Sequence, residues 1–99
     1  MPKRSDQTDS ESHMVKKIKV ENKLGLHARP AALLVQTISR YESDITVTKG
    51  TKKVNAKSIM GVMMLAAGPN SILTFELLGP DAEQAWADIE DLFKRNFDE

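Results

Sequence analysis

The sequence predicts a small α+β domain with helices on one face of an antiparallel sheet. Three observations carry that reading. Short runs alternate apolar and polar residues, the period of a half-buried strand. Between them lie runs with apolar residues at i, i+3, i+4 and i+7, the period of an amphipathic helix. A turn signal at Lys49-Gly50 joins two strand runs too closely for a parallel crossover, so that pair is antiparallel. At 99 residues the chain is long enough for one domain with one modest core.

Residues Met1 to His13 carry no apolar pattern and are expected to be a disordered tail, or in part a cloning remnant, since Ser12-His13-Met14 looks like a vector junction. The folded domain is expected over residues 14–99. Val15 to Glu21 reads as a strand in which Ile18 and Val20 alternate with Lys17, Lys19 and Glu21. Asn22 to Gly25 is a loop. A first helix is expected from about Ala28 to Arg40, with Ala31, Leu34, Val35 and Ile38 as its buried stripe and Arg40 suited to its negative end. Ile45 to Thr48 and Thr51 to Asn55 form the hairpin about Lys49-Gly50. Lys57 to Ala67 is helical, with Ser58 as N-cap and Gly68-Pro69-Asn70 as its stop. Ser71 to Leu78 is the strongest strand, with Leu73, Phe75 and Leu77 on one face. Gly79-Pro80-Asp81 then opens a last helix, on which Ala82, Ala85, Trp86, Ile89, Leu92 and Phe93 mark the buried side.

Two stretches carry chemistry. The first is Gly25-Leu26-His27-Ala28-Arg29-Pro30-Ala31. Gly25 permits a sharp backbone turn, and Pro30 suits the first turn of a helix. His27 should therefore sit at or just before a helix N-terminus, where unpaired N–H groups and the positive dipole end favour an anion. Arg29 adds a permanent cation whose fork matches phosphate oxygens. A neutral imidazole beside such a cradle points to a histidine that accepts a phosphoryl group; the competing reading is a solvated loop histidine. The second stretch is Lys57 to Ala67, apolar almost all round and holding three methionines. A short helix of that kind is either buried or a contact surface.

Composition narrows the classes. Fourteen basic residues balance fourteen acidic ones, which argues against generic nucleic-acid binding. With no cysteine and two distant histidines, neither a thiolate nor a histidine metal site is expected. No apolar run has the length of a membrane span or the form of a signal peptide, so a cytoplasmic protein without membrane insertion is expected. Nothing calls for a cofactor or an oligomer, and a monomer is the expectation.

The chain resembles the HPr family, the histidine phosphocarriers of the bacterial phosphoenolpyruvate-dependent sugar phosphotransferase system. The resemblance spans about residues 14–96. It rests on Gly-Leu-His-Ala-Arg-Pro-Ala at 25–31, similar to the family's active-site signature, and Lys-Ser-Ile-Met-Gly-Val-Met at 57–63, similar to its serine-site signature. The resemblance implies an open-faced β-sandwich of four antiparallel strands with three helices on one side, in the order βαββαβα. It implies a phosphocarrier rather than an enzyme: His27 would take phosphate on Nδ1 from phosphorylated enzyme I and pass it to the A domain of an enzyme II. Arg29 would position the phosphate. Ser58 would be a regulatory site for an HPr kinase/phosphorylase, and Ile59, Met60 and Met63 would dock partners. Two other circuits fit the same motifs, a nitrogen-related paralogue and a serine-regulated binding module. The latter is disfavoured by an intact His27 and Arg29.

Overall fold

The structure is a computed structural model that describes residues 12–99. In chain order it holds β1 (Ser12–Lys19), α1 (Ala28–Ile38), β2 (Asp44–Lys49), β3 (Lys52–Asn55), α2 (Ile59–Met64), β4 (Ile72–Gly79) and α3 (Ala82–Lys94), closed by a 3-10 turn at Asn96–Asp98. The strands form one sheet in the order β1-β4-β2-β3, antiparallel throughout. The three helices cover one face, as the sequence pattern predicts, which makes the domain the open-faced sandwich that the resemblance implies.

Strand β4 is central because its inward face is continuous: Leu73, Phe75 and Leu77 are fully buried. Against them pack Ala31, Leu34, Val35 and Ile38 of α1 and Ala85, Trp86, Ile89, Leu92 and Phe93 of α3. Phe75 meets Trp86 and Phe93 at ring separations of 6.0 Å, the latter edge-on. Each fully buried large apolar side chain stabilises the fold by roughly 1.5–3 kcal/mol.

Several element ends differ from expectation, each for a visible reason. β1 begins at Ser12, not Val15, because β4 runs on to Gly79 and offers partners to Ser12 and His13. His13, assigned from sequence to the tail, lies on the open face, 2.8 Å from Glu76 Oε2 through Nε2. Residues 1–11 of the expected tail lie outside the described residues. α1 ends at Ile38 rather than Arg40, where the Ser39 hydroxyl folds back to donate to Val35 O at 2.6 Å. Arg40 then reaches Asp88 of α3 at 2.6 Å instead of closing its own helix. The hairpin turn is Gly50-Thr51, one residue later than expected, since Lys49 pairs with Lys52.

Helix α2 stops at Met64, short of Ala67. Ala66 takes a left-handed φ of 51°. Lys49 Nζ donates to Leu65 O at 3.2 Å and Ala66 O at 3.1 Å, and Lys52 Nζ to Met64 O at 3.2 Å. Two lysines of the hairpin thus satisfy the last carbonyls of the helix, where cations are favoured. Asp81 ties the other end of the sheet. Its carboxylate accepts from Glu42 N (2.9 Å), Ser43 N (3.0 Å) and Ser43 Oγ (2.6 Å), fixing the entry to β2 against the start of α3.

Candidate functional site

His27 is the N-cap of α1, with extended backbone (φ −75°, ψ −172°). Its carbonyl accepts from Ala31 N at 3.0 Å. Pro30 has no N–H, so the amides of Ala28 and Arg29 open the helix without an intrahelical acceptor. Three features place the histidine. Gly25 turns the chain at φ +67°. Leu26 N donates to Ala67 O at 2.8 Å, holding the loop against the segment after α2. Pro30 and Ala31 are buried and anchor the first turn.

The imidazole is about one-third exposed (35%), and its Nε2 lies 2.8 Å from Glu99 Oε2. The other oxygen of that carboxylate accepts from Asn22 Nδ2 at 3.1 Å. Asn22 is nearly buried (5% exposed) and also donates to Gly25 O at 2.7 Å, so one amide joins the glycine turn to the glutamate. The Asn22 hydrogen bond, opposed by burial and aided by the His27 hydrogen bond and the charge of Arg29, holds the Glu99 carboxyl below the usual carboxylate range. Glu99 is therefore ionised at neutral pH and can only accept, so Nε2 carries a proton. In the neutral ring the lone pair then sits on Nδ1.

Glu99 reaches this position through the turn after α3. Asn96, Phe97 and Asp98 all have left-handed φ, and Phe97 is buried edge-on against Phe93 at 4.8 Å. The exposed Arg29 borders two depressions on the same side. One, of about 300 Å³, is lined with Ala32, Leu33, Gln36, Phe97 and Asp98. The other, of about 800 Å³, is lined with Glu21, Asn22, Lys23, Leu24, Asn96 and Glu99. Among the described residues Arg29 holds no salt bridge.

The second motif stands beside the first. Met63, Ala66, Ala67 and Gly68 share a cavity of about 280 Å³ with Leu24, Leu26, His27 and Ala28. Ser58 is the N-cap of α2, half-buried, with Oγ accepting from Gly61 N at 3.0 Å. Only Val62 of this helix is buried. Ile59, Met60, Met63 and Met64 are exposed, so most of the helix's apolar side chains face outward, while Leu65 and Ala67 just beyond it turn into the core. Of the residues singled out in the sequence, His27 and Met63 share this cavity wall, Arg29 lies exposed in the first turn of α1, and Ser58, Ile59 and Met60 stand at the start of α2. Sequence reasoning missed Asn22 and Glu99: an asparagine in a glycine loop signals a turn, but nothing local signals a partner 77 residues away.

A family model described as the PTS HPr component phosphorylation site matches residues 14–95. The chain belongs to the HPr family. It is 51% identical to the phosphocarrier protein HPr of Treponema pallidum (strain Nichols) over 86 residues, covering 87% of this chain and 98% of that one. It is also 51% identical over 70 residues to the HPr-like protein Crh of Halalkalibacterium halodurans, covering 71% and 83%. The crystal structure of HPr-C-His from Thermoanaerobacter tengcongensis superposes with a TM-score of 0.83 at 46% identity, over 87% of this chain and 97% of that one. Membership in the family supports a phosphocarrier role in the phosphotransferase system. Among the described residues, no helix is long and apolar enough to cross a membrane, and no group of three or more His, Cys, Asp or Glu is placed to hold a metal.

Proposed function

We propose that His27 accepts a phosphoryl group on Nδ1 from phosphorylated enzyme I in the cytoplasm and passes it to the A domain of an enzyme II. The observation that carries this reading is the division of labour on the ring. Nε2 is occupied by Glu99, and Nδ1 keeps its lone pair at the open end of α1. In the transfer the Nδ1–P bond forms as the bond from phosphorus to the donor breaks, and the proton stays on Nε2, donated in a hydrogen bond to Glu99. The positive charge that the ring gains is met by that carboxylate. The amides of Ala28 and Arg29 and the Arg29 guanidinium face the added phosphate charge. Each helix-end contribution is about 0.3–1 kcal/mol in an exposed site. That modest size suits a carrier, since a tightly held group would not leave for the next acceptor.

Ile59, Met60 and Met63 supply the apolar contact for these partners, and Met63 shares a cavity wall with the histidine. Ser58 is the regulatory position, modified by an HPr kinase/phosphorylase. A phosphate there adds about −1.5 to −2 charges at pH 7. The N-cap position tolerates this charge, whereas an apolar interface on the neighbouring Ile59 does not.

The test is incubation with phosphoenolpyruvate, magnesium and purified enzyme I, read by intact mass before and after acid, with His27→Ala alongside. One acid-labile phosphate on the parent and none on the variant is the expected result. No phosphate on the parent, from an enzyme I proven on another carrier, overturns the proposal.

A further inference from the structure

We propose that Met60, Met63 and Met64 form an oxidation-sensitive patch: their conversion to sulfoxides by hydrogen peroxide closes the docking surface for enzyme I and leaves the fold intact. The inference rests on the reading that enzyme I docks over α2.

The three thioethers are 73%, 43% and 61% exposed. Peroxide can reach them, and oxidising them takes nothing from the core, to which α2 contributes only Val62. Met14 provides an internal contrast, since it is half-buried and packs on the core. The chain has no cysteine, so no thiol competes for the oxidant. Met63 matters most, because it shares a cavity wall with His27 and Ala28. A donor that delivers phosphate to Nδ1 must close over that wall.

The chemistry balances within one step. A sulfur lone pair attacks one peroxide oxygen, the O–O bond breaks, the sulfoxide forms and water leaves. Thiol-dependent sulfoxide reductases reverse it. A thioether is apolar and adaptable, whereas a sulfoxide is polar and chiral. Covered by an apolar partner surface that gives them no donor, the sulfoxides together should weaken docking by about tenfold or more.

The experiment treats the full chain with peroxide until peptide mapping places oxygen on all three α2 methionines, then removes peroxide with catalase. Phosphoryl acceptance from enzyme I is measured before and after, together with circular dichroism and Tm. The expected result is an apparent KM for the chain raised by about tenfold or more, unchanged spectrum and Tm, and recovery with sulfoxide reductases and a dithiol. The variant M60L/M63L/M64L, whatever its own starting rate, should keep that rate through peroxide. An unchanged rate in the oxidised parent, loss of rate accompanied by loss of structure, or an equal loss in the triple variant would each overturn the inference. Failure of the untreated chain to accept phosphate is a separate outcome, seen before peroxide is added. It would overturn the docking reading and this inference with it.

Discussion

Replacing Gly25 with alanine should damage both stability and acceptance, by an amount that can be divided into parts. Gly25 sits at φ +67°, and a Cβ built there would lie 2.3 Å from Ala67 O and 2.7 Å from Gly68 Cα. Both are backbone atoms, so no rotamer change relieves the overlap. The left-handed conformation costs a residue with a side chain about 1–2 kcal/mol. Forcing the loop away from Ala67 adds about 1–3 kcal/mol, the usual cost of overpacking. A total near 3 kcal/mol lowers Tm by about 12–24 °C in a domain of this size. Gly50→Ala is the control, since Gly50 has φ +61° with nothing within 4 Å of its built Cβ. It carries the conformational cost alone, and the effect of each substitution on the unfolded chain cancels between the two. Urea titration should therefore separate the variants by about 2 kcal/mol. Relief of the clash also breaks Leu26 N to Ala67 O, so G25A should accept phosphate from enzyme I far more slowly than G50A. Equal stability losses, or equal rates, would refute the argument that close backbone approach at Gly25 sets the position of His27.

Other consequences follow from single contacts. Asp81→Ala removes the acceptor of three hydrogen bonds and should cost about 2 kcal/mol at pH 7, after discounting for solvent at a half-exposed carboxylate. Ser43 first, then the Glu42 amide, holds the Asp81 carboxyl below its ordinary value. A depressed folded pKa adds stability above the unfolded value of about 3.9 and loses it as pH falls through the folded one. The gap between parent and variant in urea should accordingly shrink below about pH 4. Lys49→Met keeps the aliphatic stem but frees the carbonyls of Leu65 and Ala66. It should lower stability by about 1 kcal/mol and speed hydrogen exchange at Val62–Leu65 more than in β4. Glu99→Gln removes the obligate acceptor at Nε2. Imidazole 15N shifts should move from a single Nε2-protonated tautomer towards a mixture, with slower phosphoryl acceptance, while the helical spectrum stays unchanged.

The sequence revealed most where one period dominates. Leu73, Phe75 and Leu77 alternate cleanly and are the buried face of the central strand; Ala31, Leu34, Val35 and Ile38 keep helical spacing and are the buried stripe of α1. His27 at the start of α1 was legible because Gly25 and Pro30 are local signals with local consequences. The ends of elements were not, since side chains from elsewhere decide them. α2 stops where Lys49 and Lys52 meet its carbonyls, and β1 starts where β4 ends. For Lys57 to Ala67 periodicity left core and contact surface undecided, because a segment apolar on all sides points in no direction; the structure divides it, turning Val62, Leu65 and Ala67 to the core and leaving Ile59, Met60, Met63 and Met64 exposed. Glu99 was invisible for a related reason. It reaches His27 only because Phe97 is buried and three successive residues take left-handed φ, a tertiary outcome with no glycine to announce it.

The most direct test of the account is the identity of the phosphorylated atom. The chain, labelled with 15N in its histidines and phosphorylated through enzyme I, should be examined by 15N and 31P NMR at neutral pH. The account predicts phosphorus on Nδ1 of His27 with the proton retained on Nε2. Phosphorus on Nε2, or on any residue other than His27, would contradict it.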